Sequence, residues 1–161
     1  MDPLLAVVEG TLADTDGAWG YAVVFALAAI PWLEILLVIP PAIGIGLDPV
    51  TVGIAAFLGN VVPIYGIVAA HHRIAAWWTA RRDDGESGRY RRAKRVWNRY
   101  GLPGLAIAAP IVTGVHLAAV VALVLGARRR EVAVWMTASI ALWTVVLVAL
   151  SVAGVSILGI E

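Results

Sequence analysis

Four polar side chains lie in apolar surroundings along this 161-residue chain, and they are its candidates for chemistry. Glu34 is the sole carboxylate deep in an apolar stretch, three residues past Pro31 and six before Pro40. Ionisable groups at membrane depth cost at least about 2.5 kcal/mol and mark ion or proton pathways. Desolvation favours the neutral form of a carboxyl group, which suits a proton-coupled carrier. The plainer role is a glutamate capped by backbone amides or exposed near the interface. His116, two residues past Thr113-Gly114, is the only histidine inside an apolar stretch. Histidine changes charge near neutral pH, so His116 either pairs with Glu34 or is a hydrogen-bonded structural residue. Asn60 stands in Gly59-Asn60-Val61-Val62-Pro63. Its amide needs a partner, whether a packed helix or a substrate, and Pro63 frees a carbonyl nearby. Thr113 completes the substrate- and proton-binding set. Thr137, Ser139 and Thr144 are weaker candidates, because hydroxyls bond back to their own helix. His71 and His72, beside Arg73, read as interfacial.

The elements that hold these residues follow from composition and charge. Hydrophobic residues make up 61% of the chain and charged residues 14%, far from the proportions of soluble domains. An all-α integral membrane protein is expected, with no room for a separate soluble domain. The formal charge of +1 hides a segregation. All twelve Lys and Arg fall within Arg73–Arg99 or at Arg128–Arg130, and the first seventy residues have none. Basic runs can also mark nucleic-acid binding, but beside apolar spans they report topology, since Lys and Arg collect on the cytoplasmic side.

The stretch Gly101–Ala127 is apolar yet basic at both ends. If both flanks are cytoplasmic, it enters the membrane, turns at mid-depth and returns. Arms of about 12 residues reach roughly 18 Å, enough for the midplane. Trp19–Leu47 has the same broken character. The expected fold is therefore an inverted repeat of a re-entrant helical hairpin plus a transmembrane helix. Residues 1–18 form an acidic leader. Residues 19–72 form the first repeat, with hairpin 19–47 and transmembrane helix 50–70. A basic cytoplasmic loop covers 73–100, with a turn at 83–88 flanked by amphipathic helix carrying Trp77, Trp78, Tyr90, Trp97 and Tyr100. Residues 101–161 form the second repeat, with hairpin 101–127 and transmembrane helix 132–155. Pro40, Pro41 and Gly44 mark one hairpin tip, matched by Pro110 and Gly114 at the other. Arg73, Arg91, Arg92 and Arg95 are set to meet lipid headgroups. Four ordinary kinked spans are the alternative, and charge distribution favours the hairpins.

Other classes are excluded by what is missing. There is no cysteine, so no disulfide or thiol chemistry. No Walker loop, dinucleotide fingerprint, HExxH or GxSxG occurs, which removes ATP-driven transport within this chain and the common hydrolases. An enzyme, a cofactor and a metal site are not expected. The N-terminus lacks the basic region of a signal peptide. A homo-oligomer is expected from the small size of the chain.

Three segments carry a family resemblance: Glu34-Ile35-Leu36-Leu37-Val38-Ile39-Pro40, Leu58-Gly59-Asn60-Val61-Val62-Pro63, and Arg99-Tyr100-Gly101-Leu102-Pro103-Gly104-Leu105 through Pro110-Ile111-Val112-Thr113-Gly114. Together they resemble the small multidrug export protein family, which is itself similar to the DedA/VTT membrane proteins. The resemblance implies a Glu on the first hairpin, a Gly-Asn in the following helix and a Pro with Thr-Gly on the second hairpin. Glu34, Gly59, Asn60, Pro110, Thr113 and Gly114 match. Leu36 stands where relatives commonly have an arginine, and His116 where DedA proteins carry arginines. The paired arginines that would hold a lipid phosphate in DedA-like proteins therefore have no match at those positions. The expected function is a small secondary transporter or exporter in the cell membrane, proton-coupled, moving a lipophilic or amphipathic molecule. A DedA-like lipid flippase or scramblase and a non-transporting membrane scaffold are the alternatives.

Overall fold

The computed structural model describes Gly10, residues 17–31 and 33–71, Arg73, and residues 88–158. Apart from Gly10, the leader through residue 16 lies outside the described residues, as do His72, Trp77, Trp78 and the expected turn at 83–87. Among the described residues, regular structure is helical throughout: α1 (Ala18–Ala28), α2 (Glu34–Gly44), α3 (Pro49–Ala69), α4 (Gly88–Val112), α5 (Val115–Val124) and α6 (Arg129–Leu158). By contact the chain divides into two compact units, Met1–Val61 with Ile140–Glu161, and Val62–Ser139.

In the first unit, α1 stops because Pro31 lacks an N–H and pushes the residue before it out of the helical region. The last bonds of α1 are Ala29 N–H to the Phe25 carbonyl (3.1 Å) and Ile30 N–H to the Leu27 carbonyl (3.1 Å), and the turn itself is closed by the N–H groups of Leu33 and Glu34 donating to the Ile30 carbonyl. Helix α2 then runs back along α1, against which it packs. The Asp48 N–H donates to the Tyr21 hydroxyl oxygen at 3.1 Å, so the chain leaves α2 beside the start of α1. This is a helical hairpin, with its turn between Ala28 and Glu34. The sequence reading had put that turn at Pro40, Pro41 and Gly44. Both prolines instead sit inside α2, and Gly44 is its last residue. Proline's fixed φ suits a helix, so the helix continues; what is lost is the pair of donors to the Leu36 and Leu37 carbonyls.

Helix α3 opens at Asp48. Its Oδ1 accepts from the Thr51 N–H (2.8 Å) and the Thr51 hydroxyl (2.6 Å), and these bonds hold the Asp48 carboxyl below its ordinary pKa. Pro49 takes the first helical position, where no N–H is needed. The helix is 21 residues long, about 32 Å at helical rise.

The second unit contains the second hairpin. Helix α4 is bent at Gly101, where φ 65° and ψ −160° are open to glycine. Its apolar part, 102–112, reaches a two-residue turn at Thr113-Gly114, with Gly114 at φ 86°, and α5 packs back upon it. Here Gly114 stands in the turn, while Pro110 lies inside α4.

One local pattern occurs twice. After α2, the N–H groups of Ile45, Gly46 and Leu47 donate to the carbonyls of Pro41, Ile43 and Ala42; after α5, those of Leu125, Gly126 and Ala127 donate to Val121, Leu123 and Ala122. Every partner is shifted by 80 residues. Gly46 and Gly126 share φ values of 92° and 94°. Burial keeps the same step: Ile39, Ala42, Val52, Ala56 and Ile64 are answered by Ala119, Ala122, Val132, Met136 and Thr144. The correspondence drawn from sequence, Pro40 with Pro110, is thus ten residues short. Among the described residues, helices α3 and α6 are long and apolar enough to cross a membrane.

Candidate functional site

In the first unit, the turn delivers Glu34 to the first position of α2, where the helix dipole favours a negative charge. Glu34 is buried, and it is the one non-glycine described with positive φ, at 41°. Left-handed backbone in a residue with a side chain costs of order 1–3 kcal/mol and gathers at functional sites. Within the next turn of the same helix lie the two carbonyls, Leu36 and Leu37, that Pro40 and Pro41 deprive of donors. Asn60, on α3, is fully buried, and neither its Oδ1 nor its Nδ2 makes a hydrogen bond among the described residues.

The residue beside it, Gly59, fixes how α1 meets α3. A Cβ at Gly59 would collide with the Phe25 carbonyl oxygen, so glycine there permits backbone-to-backbone contact. Further along, an apolar groove of about 680 Å³ opens between Pro49–Leu58 of α3 and Ala141–Ala149 of α6. Gly53 and Thr144 line it, and a Cβ at Gly53 would come within 3.2 Å of Val148.

The second unit holds Thr113 and His116. Thr113 is buried in the turn and its hydroxyl donates to the Gly114 carbonyl at 3.3 Å. His116 is buried at the second position of α5. With the corrected step of 80, His116 corresponds to Leu36 and Glu34 to Gly114. Each polar group begins the returning arm of its own hairpin. Glu34 and Asn60 thus belong to one unit, Thr113 and His116 to the other.

One of the weaker hydroxyl candidates bonds outside its own helix. Ser139 is buried, and its Oγ donates to the Ala106 carbonyl at 2.7 Å. That carbonyl is the one Pro110 leaves without a helical donor, four residues on. The hydroxyl replaces the missing N–H. Two signals pointed to it: the proline at i+4 from Ala106, and the position of Ser139 at 80 residues from Gly59. The matched residues meet the first arm of their hairpins, Gly59 at Phe25 and Ser139 at Ala106.

Of the basic residues, Arg73, Arg91, Arg92, Arg95 and Arg99 are exposed. Among the described residues no three His, Asp or Glu are grouped so as to hold a metal ion.

No curated protein and no solved structure matches the chain. A family model does match, over residues 34–146, most of the chain, and its description is "Putative small multi-drug export protein". The match begins at Glu34 and takes in both hairpin turns' returning arms, α3 and the first part of α6. Covering that much of a chain with two span-length apolar helices among its described residues, the match shows that the chain belongs to this small multi-drug export family, whose name denotes transport across a membrane.

Proposed function

We propose that this protein is a small secondary transporter that exports a lipophilic or amphipathic molecule from the cell in exchange for protons, with Glu34 taking up and releasing the proton. The observation that carries the reading is a buried carboxylate in left-handed backbone, where two 11-residue helices fold back on each other. Each arm is about 16 Å long, half the hydrocarbon thickness of a bilayer. In this reading both hairpins are re-entrant, and the turns stand at mid-membrane. Irregular backbone at that depth needs protein or a wet cavity around it, and broken segments of this kind line transporter sites. Because each hairpin returns to the side it left and α3 crosses between them, the two repeats are inverted. The segment 73–100 is then cytoplasmic. Asn60, Thr113 and His116 contribute polar contacts to cargo or proton, and the apolar outer faces of α3 and α6 meet lipid or a second copy of the chain.

The test uses proteoliposomes with an imposed pH gradient and ethidium as the lipophilic cation. The wild-type chain is expected to move ethidium against the proton gradient, and Glu34→Gln is expected to lose the pH-dependent part of that flux at least tenfold. Unchanged flux in the variant overturns the role of Glu34. A DedA-like lipid flippase is the second reading, favoured by the arginines around the second hairpin. It would replace the first if labelled phospholipid crossed the bilayer equally fast with the wild-type chain and with Glu34→Gln while ethidium did not move. A scaffold would move neither.

A further inference from the structure

The two hairpins differ most at their open ends. The first opens at Ala18 and Asp48 with no Lys or Arg anywhere before Arg73. The second opens at Gly101 and Gly126, and arginines begin within two residues of both points: Arg99 on one side, Arg128 on the other. The two-residue turn at Thr113-Gly114 returns α5 along α4, so both basic segments leave the same end of one hairpin.

The basic part of α4, Gly88–Tyr100, contains no carboxylate. Arg91, Arg92, Arg95 and Arg99 fall at helical steps that place all four within an arc of roughly 100°, and all four are exposed. On the other side Tyr90 and Ala93 are buried and Trp97 is half-buried. Lys94 lies 5.9 Å from the Tyr90 ring centre and Arg99 lies 5.3 Å from that of Tyr100. At the other segment, Arg128 pairs with Glu131 at 3.4 Å, while Arg129 and Arg130 are exposed. With its aromatic side packed into the protein, the helix turns only its arginine face outward, free to meet an anionic bilayer surface. The bend at Gly101 supplies the change of direction, from a surface helix to an arm entering the apolar layer.

We propose that this end of the second hairpin is a binding surface for anionic phospholipid headgroups, held by Arg91, Arg92, Arg95 and Arg99 together with Arg128–Arg130. Guanidinium groups bind phosphate oxygens in pairs of parallel hydrogen bonds, and anionic leaflets attract such clusters strongly at low salt. An acidic protein or nucleic acid is disfavoured because the arginines adjoin the apolar arms at headgroup depth on both sides. The inference rests on the membrane reading above, and its failure can be told apart: a chain that stayed in solution without detergent would remove that reading first.

The experiment is a thermal melt of the full chain in neutral detergent with added phosphatidylglycerol, phosphatidylcholine or inorganic phosphate. Phosphatidylglycerol is expected to raise the melting temperature, high salt to reduce that shift, and the other two additives to leave it unchanged. The fourfold change of Arg91, Arg92, Arg95 and Arg99 to Gln should raise the half-saturating phosphatidylglycerol concentration at least tenfold, and the matching fourfold Lys variant should restore most of it. If the fourfold Gln variant fails to fold, Arg128–Arg130→Gln replaces it, with the same direction expected. Equal shifts with both lipids, an equal response to inorganic phosphate, or full retention in the Gln variants each overturn the proposal.

Discussion

The first turn, between α1 and α2, ends on a glutamate at φ 41°; the second takes two residues, and the one at φ 86° is a glycine. The hairpins are otherwise alike, with arms of similar length, the same closing turn 80 residues apart and the same buried steps on the following helix. A glycine would relieve the first turn as it does the second. A glutamate held there is a strained residue that the surrounding structure must over-determine, and that strain is what supports the role proposed for Glu34. A second contrast lies where the long helices meet the first arms. One repeat uses the absence of a side chain, at Gly59; the other uses a hydroxyl, at Ser139.

These contrasts can be broken one at a time. The largest effect is expected from Gly59→Val, because a branched side chain would be driven into the Phe25 carbonyl. A loss of at least about 3 kcal/mol follows from forced overpacking, read as a drop in melting temperature of about 10 °C or as failure to purify as one species. A variant as stable as wild type would show that α1 does not rest on α3 at that point.

Ser139→Ala should cost less, about 1–3 kcal/mol, by stranding the Ala106 carbonyl. The cost should shrink by half or more when Pro110→Ala is added, since the new N–H can serve that carbonyl within its own helix. A double-mutant cycle measures this, and strict additivity of the two changes would remove the proposed exchange of donors.

The smallest effect is expected at the second turn. Gly114→Ala should destabilise by about 1 kcal/mol, because a φ of 86° strains any residue with a side chain. Denaturation in the same detergent reports it. An unchanged midpoint would mean that this turn is not governed by backbone strain.

Much of this arrangement could be read from residue order alone. Pro31, the Asp48-Pro49 opening and the uninterrupted apolar run after it locate the first break and α3, because a missing N–H and a capping carboxylate act locally. The span of α3 differs from the expected helix 50–70 by one residue at each end. The first turn was misplaced at Pro40-Pro41 because a proline pair looks like a stop, yet proline's φ is that of a helix and neighbouring groups can satisfy the carbonyls it strands. The repeat step went wrong with it. The matching signal was present in Ile43-Gly44-Ile45-Gly46-Leu47-Asp48 and Leu123-Val124-Leu125-Gly126-Ala127-Arg128, where Gly46 and Gly126 each follow a short helix and stand two residues before a charged one. The four candidate polar residues are all buried, which follows from their apolar neighbours in sequence. The Ser139–Ala106 bond depends on two helices meeting at one register, and sequence spacing within either helix carries no record of that.

Asn60 carries a further consequence. A carboxamide sealed from solvent with neither atom bonded to the described protein leaves a donor and an acceptor each short of about 1–3 kcal/mol. Any visitor able to supply both, be it a water molecule or a passing solute, recovers that deficit and tightens the fold by mass action. The matched place in the other half is Ile140, whose side chain has nothing to satisfy; on that helix the buried atoms left unbonded among the described residues are the hydroxyls of Thr137 and Thr144 instead. The two halves thus reward a polar visitor at different steps of the repeat and with different chemistry, a carboxamide in one and hydroxyls in the other.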